Sequence, residues 1–155
     1  MLETRLTELL DCRYPIVQTA MGWVADPNLV AGSCNAGGFG FLAGATIPAQ
    51  EMERDIQKVK ELTDKPFGVN FHMYQPNAMH IVDLVIRHDV KAVSYSRSPG
   101  PDMIRKLKDA GVVCMPTIGL PKHAIKAVEL GADAVTVQGG EGGGHTGAVP
   151  TSLLI

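Results

Sequence analysis

Six short apolar runs, each followed by a stretch with helical spacing, constrain this chain more than any other feature. They are Tyr14-Pro15-Ile16-Val17-Gln18, Phe39-Gly40-Phe41-Leu42-Ala43, Phe67-Gly68-Val69-Asn70-Phe71, Ala92-Val93-Ser94-Tyr95, Val112-Val113-Cys114-Met115-Pro116 and Ala134-Val135-Thr136-Val137. Their starts recur roughly every 20 to 28 residues, the rhythm of βα units in a parallel sheet. Between them, Pro27 with Leu29-Val30-Ala31 opens a short helix that Asn35-Ala36-Gly37-Gly38 stops. Met52, Ile56, Val59 and Thr63 then fall at i, i+4, i+7 and i+11 after Pro48. Further helices are predicted over 76–87, 102–110 and 121–130, the last two closed by Gly111 and Gly131 where a C′ glycine belongs. Residues 109–113 and 130–135 read as the same joint used twice.

Six βα units suit either an open doubly wound sheet or a (β/α)₈ barrel short of two units, since a whole barrel takes roughly 250 residues. The chain has 155 residues and ends on the apolar Leu153-Leu154-Ile155 after starting a helix at Thr151. It is therefore expected to be the N-terminal part of a longer protein.

The glycines concentrate in Gln138-Gly139-Gly140-Glu141-Gly142-Gly143-Gly144-His145-Thr146-Gly147, directly after the sixth run. A loop leaving the carboxyl end of a buried strand is where α/β proteins hold ligands, and glycine lets a ligand approach the backbone closely. Gly142-x-Gly144-x-x-Gly147 formally fits the dinucleotide fingerprint, but Pro150 stands where its long helix should run. No phosphate-loop or nucleophile-elbow motif occurs.

Of five histidines, His80 and His88 read as surface or packing residues, while His72 and His123 lie where they could line a site without their spacing demanding it. His145 is the chemical candidate, because an imidazole among bare glycines can exchange a proton near neutral pH. Glu141 beside it is expected to be solvated. Asn70 and Gln138 each end a predicted strand with an amide that donates and accepts, which suits a ring with alternating carbonyl and N–H edges such as an isoalloxazine. Cys114 reads as a buried core thiol, and Met21 and Trp23 either pack on a flat ligand or on the sheet mouth.

A 45% hydrophobic and 19% charged composition is that of a soluble globular protein, and a net charge of -2 argues against nucleic acid or an anionic membrane as partner. No apolar run approaches the roughly 20 residues of a membrane span. Three cysteines without paired spacing and a charged amino terminus predict a reducing, cytoplasmic setting.

Pro15-Ile16-Val17-Gln18-Thr19-Ala20-Met21-Gly22, the strand Gly68-Val69-Asn70-Phe71 and the whole stretch 131–147 resemble the nitronate monooxygenase family, formerly 2-nitropropane dioxygenases. Within it the chain is most similar to flavin-dependent reductases of coenzyme A thioesters, and enoyl-acyl-carrier-protein reductases are more distant. The resemblance implies an FMN-binding TIM barrel of which residues 1–155 are the N-terminal portion, with the first six βα units. It implies that Ala20, Met21 and Gly22 touch the flavin, that Asn70 and Gln138 hydrogen-bond it, and that Gly142, Gly143 and Gly144 pack beneath it. By it, His145 is the catalytic acid or base. The implied substrate is a nitronate or a CoA thioester, with NADH or NADPH as candidate reductant and a homo-oligomer left open. The alternatives are an enoyl-thioester reductase and an inactive, cofactor-free barrel fragment. Ser94-Tyr95-Ser96-Arg97 replaces the Phe-His expected after the fourth strand, which disfavours nitronate chemistry and offers Arg97 to an anion such as a CoA phosphate. The family's phosphate-binding segments belong to seventh and eighth strands beyond this sequence.

Overall fold

In the computed structural model, which describes residues 2–96, 100–144 and 146–155, the six apolar runs form six parallel strands. These are β1 (Val17–Gln18), β2 (Phe39–Ala43), β3 (Gly68–His72), β4 (Ala92–Ser96), β5 (Val113–Ile118) and β6 (Thr136–Val137). Strand order in the sheet is chain order, β1 to β6, with every neighbour pair parallel. A doubly wound sheet reverses direction at a switch point. This sheet has none, so the fold is the first six units of a TIM barrel.

The crossovers are α2 (Pro27–Asn35), α3 (Ala49–Leu62), α4 (Ala78–Arg87), α5 (Pro101–Asp109) and α6 (Pro121–Glu129). An additional helix, α1 (Arg5–Leu10), precedes β1 and was not legible as a periodic pattern. Thr4 and Thr7 hold its first turn through a reciprocal side-chain and backbone exchange. Asp26 caps α2, its carboxylate accepting from the Leu29 N–H at 2.9 Å, and Pro27 takes the first-turn position where its missing N–H costs nothing. Gly111 and Gly131 close α5 and α6 with φ of +75° and +88°, the left-handed backbone that their positions predict.

The period-two pleat sorts the strand residues into two layers. Leu42, Val69, Phe71, Val93, Tyr95 and Cys114 point outward into a core shared with Met52, Ile56 and Val59 of α3, Ile81, Leu84 and Val85 of α4, and Ile104 and Leu107 of α5. Phe39, Phe41, Ala92, Val113 and Met115 point inward, where Leu10 of α1 joins them. Phe39 and Phe41 meet edge to face with centroids 5.2 Å apart. The second joint carries its own lock: the Asp133 carboxylate accepts from the Cys114 N–H at 2.8 Å and pairs with Lys108. Among the described residues no helix is long and apolar enough to cross a membrane.

Candidate functional site

Inward-facing positions change character along the strands. In the lower half they carry Phe39, Phe41, Ala92 and Val113, and further along polar side chains enter. Register places Ala43, Asn70, Ser94 and Met115 side by side, then His72, Ser96, Thr117 and Thr136. The first of these rungs is polar at Asn70 and Ser94 and the second is polar throughout, and they line the carboxyl edge of the sheet, the edge at which barrel enzymes act.

Asn70 is half-buried, and its Nδ2 donates to Ser94 Oγ at 2.8 Å and to the Ser94 carbonyl at 3.1 Å. That fixes the amide's orientation and leaves Oδ1 without a partner among the described residues. One rung higher, His72 Nδ1 lies 2.7 Å from Ser96 Oγ. Sequence reasoning placed His72 where it could line a site but gave Ser94 and Ser96 no role, although the spacing of two in Asn70-x-His72 and Ser94-x-Ser96 puts each pair on one face.

Gln138 follows β6, its N–H donating to the Ile118 carbonyl at 2.9 Å and its Nε2 to the Gly143 carbonyl at 2.9 Å. The amide therefore folds the glycine loop back on itself. Asn70 and Gln138 are not at neighbouring strand ends: β4 and β5 stand between them, three strand spacings of roughly 4.8 Å along the sheet. A ligand touching both must be elongated.

The loop has two differently built halves. Gly139 is buried, and a Cβ there would lie 2.3 Å from Thr151 N and Oγ1. Gly140 donates to the Val149 carbonyl at 2.9 Å. At Gly143 and Gly144, by contrast, a Cβ would meet nothing within 4 Å, and Gly144 has φ +73°. The left-handed backbone accounts for a glycine at 144, and no packing among the described residues accounts for one at 143, so this is the half with room for a flat ligand. Gly142 lies against the Gln138 side chain, 3.0 Å from where its Cβ would be. His145 and Arg97 fall outside the described residues.

Glu141 is exposed but tied rather than merely solvated: its carboxylate accepts from Thr151 N at 3.0 and 3.3 Å and from Thr151 Oγ1 at 2.9 Å. These bonds, led by the Thr151 N–H, hold its carboxyl below the usual carboxylate range. Because the folded pKa lies below the unfolded one, the tie is fully present above the unfolded pKa of about 4.3 and is lost as pH falls through the lower, folded value. Acid titration followed by amide NMR is accordingly expected to move the Thr151 N–H resonance below the usual glutamate range, and Glu141→Gln is expected to abolish that pH-dependent shift.

At the β1 end, Ala20 packs on the inner core cluster while Met21 and Gly22 are exposed at the strand mouth. Trp23 beside them is 88% exposed with φ +60°, a conformation that bulky side chains seldom adopt. A cleft of about 510 Å³ opens beside β4 to β6, between the loop residues Gln138, Thr146 and Gly147 and the helix-side residues Ile104, His123 and Ala127. Cys114 is fully buried, and burial pushes its thiol up to about 11, with Asp133 adding to the effect, so it is a core thiol and no nucleophile. His88 packs against Glu53 at 2.9 Å, His80 is exposed on α4, and His123, exposed on α6, lines the cleft.

The sequence matches the family described as Nitronate monooxygenase over residues 3–92 and 78–154. It is 56% identical over 154 residues to a (3aS,4S,5R,7aS)-5-hydroxy-7a-methyl-1-oxo-octahydro-1H-indene-4-carboxyl-CoA dehydrogenase of Rhodococcus jostii, covering 99% of this chain and 44% of that protein. FabK from Thermotoga maritima superposes with a TM-score of 0.95 at 34% identity, over 99% of this chain and 50% of that one. Nitroalkane oxidase from Streptomyces ansochromogenes gives 0.82 at 32% identity, over 93% and 51%. The chain thus spans about half the length of the relatives it matches. Its six strands, their polar carboxyl edge and these likenesses together place the chain in the nitronate monooxygenase family.

Proposed function

We propose that residues 1–155 are the N-terminal portion of a single FMN-binding barrel and that the whole protein is an FMN-dependent oxidoreductase acting on a CoA thioester. The observation that carries the flavin reading is the contrast within the glycine loop: Gly143 and Gly144 face open space, whereas Gly139 is packed against Thr151. Asn70 Oδ1 and the Gln138 amide oxygen, both at the carboxyl edge and neither with a partner among the described residues, are open to such a ligand. The residues present therefore fit an elongated flat ligand with polar edges.

FMN, when bound, supplies the two-electron chemistry, with NADH or NADPH as candidate electron partner. The chain's own residues bind and orient. Ser94 sets the Asn70 amide so that Oδ1 meets a ligand N–H, and Gln138 holds the loop against the mouth of β6. Ala20 and Gly22 contribute backbone and small side chains at the β1 mouth, and Met21 an exposed apolar side chain for a flat ligand. His145 gives or takes the proton that accompanies electron transfer to the substrate. The thioester class is supported by the 56% identical CoA-thioester relative, against 32% for the nitroalkane oxidase. Alkyl nitronates remain the second reading because the family match is to nitronate monooxygenases.

The visible spectrum of the purified full-length protein tests the cofactor. Flavin absorption that is bleached anaerobically by NADH or NADPH is the expected result. Oxidation of alkyl nitronates without reduction by nicotinamide favours the second reading, and a colourless full-length protein that takes up no added FMN refutes both.

A further inference from the structure

The rung above Asn70 carries a side-chain pair that the family reading leaves without a role. His72 is exposed, yet it is fixed at both ends. Its ring meets Ser96 Oγ at 2.7 Å, and its backbone N–H donates to Gln75 Oε1 at 2.8 Å. Gln75 is itself anchored, its Nε2 donating to Asn77 Oδ1 at 2.6 Å and to the carbonyl of Gly44, just past β2, at 3.4 Å. A solvated surface imidazole gains rotamer entropy by staying free. Holding one at a strand end through three elements opposes that tendency.

The pair also has a direction. Residues 72 and 96 are register partners on the inner face, one pleat period beyond Asn70 and Ser94. With Nδ1 engaged by Ser96, Nε2 is the ring nitrogen left to meet a ligand. When the Ser96 O–H donates to Nδ1, the imidazole proton resides on Nε2 and makes it a donor. The rest of the rung, Thr117 and Thr136, is neutral. A neutral row of hydroxyls around one N–H donor suits a carbonyl oxygen better than a carboxylate or phosphate, which call for Arg or Lys.

We propose that His72, oriented by Ser96, binds substrate by donating its Nε2–H to the carbonyl oxygen of an acyl-CoA thioester. The identity of the substrate rests on the function proposed above; the donor and its orientation rest on the pair itself. Ser96 is then a positioning residue that acts through the ring.

The test uses the full-length protein with crotonyl-CoA as probe, its Kd taken by calorimetry and flavin content read from the spectrum of the same sample. His72→Ala is expected to weaken crotonyl-CoA binding about 2- to 13-fold, the range of one hydrogen bond, with flavin content unchanged. His72→Gln, which keeps an N–H donor, is expected to recover part of the loss. Ser96→Ala is expected to weaken binding less, and to add nothing to His72→Ala in the double variant, because both act through one contact. Unchanged affinity in His72→Ala, or additive losses in the double variant, overturns the proposal. A flavin-loaded wild type that does not bind crotonyl-CoA overturns the thioester carbonyl as its ligand. A wild type without flavin overturns the flavoenzyme reading, while the affinity comparison still decides His72.

Discussion

Replacing His145 by alanine in the full-length protein is expected to leave flavin binding intact and to lower turnover by roughly 10² to 10⁴-fold, the range for loss of one general acid or base. Its position in sequence carries the expectation: it follows Gly143 and Gly144, which face open space, and precedes Thr146 and Gly147 on the cleft wall. Stopped-flow separation of the half-reactions locates the loss, which should fall on the step that moves a proton to or from substrate. Turnover close to wild type would make His145 a bystander and shift attention to His72.

The second large effect is on stability and comes from the outward face of β3. Phe71 is fully buried, and its ring packs against Tyr95 with centroids 6.3 Å apart in the core between sheet and helices. Phe71→Ala is expected to cost about 3–5 kcal/mol, transfer free energy plus the cavity left by the ring. Asn70→Ala, one residue earlier but on the inner face, is expected to cost only about 1 kcal/mol through the lost bonds to Ser94, and to act mainly on flavin affinity. Denaturant unfolding of the two variants measures the contrast. Equal destabilisation would mean that the two faces of β3 are not divided between core and site.

Much of this division was legible in the sequence. The apolar runs, the helical spacing of Met52, Ile56 and Val59, and the C′ glycines Gly111 and Gly131 fixed the βα rhythm, because each is a local property of consecutive residues. Helix α1 was missed because six residues are too few to show a period. β1 and β6 came out at two residues each, shorter than their apolar runs, because each pairs with a neighbour on one side only. The choice between open sheet and barrel needed strand order, which no local pattern encodes.

The site divided in the same way. Asn70 and Gln138 were identifiable as polar residues ending apolar strands, and both reach the carboxyl edge. What joins His72 to Ser96 is a contact across 24 residues, set by the register of β3 on β4. Likewise the bond from Thr151 to Glu141 spans ten residues and depends on how the loop returns. Side-chain partners across strands follow from register, and register follows from the packed faces.

The strict succession of β1 to β6 has a further consequence, for where the structure is firm. Each of β2 to β5 is flanked on both sides by parallel neighbours. The buried strand residues gather there, against the helices behind them. The glycine loop lies beyond that block with Gly140 to Gly144 exposed, where the backbone yields most readily. A loop so placed can rearrange around an incoming ligand without disturbing the middle strands on which Asn70 and His72 are mounted.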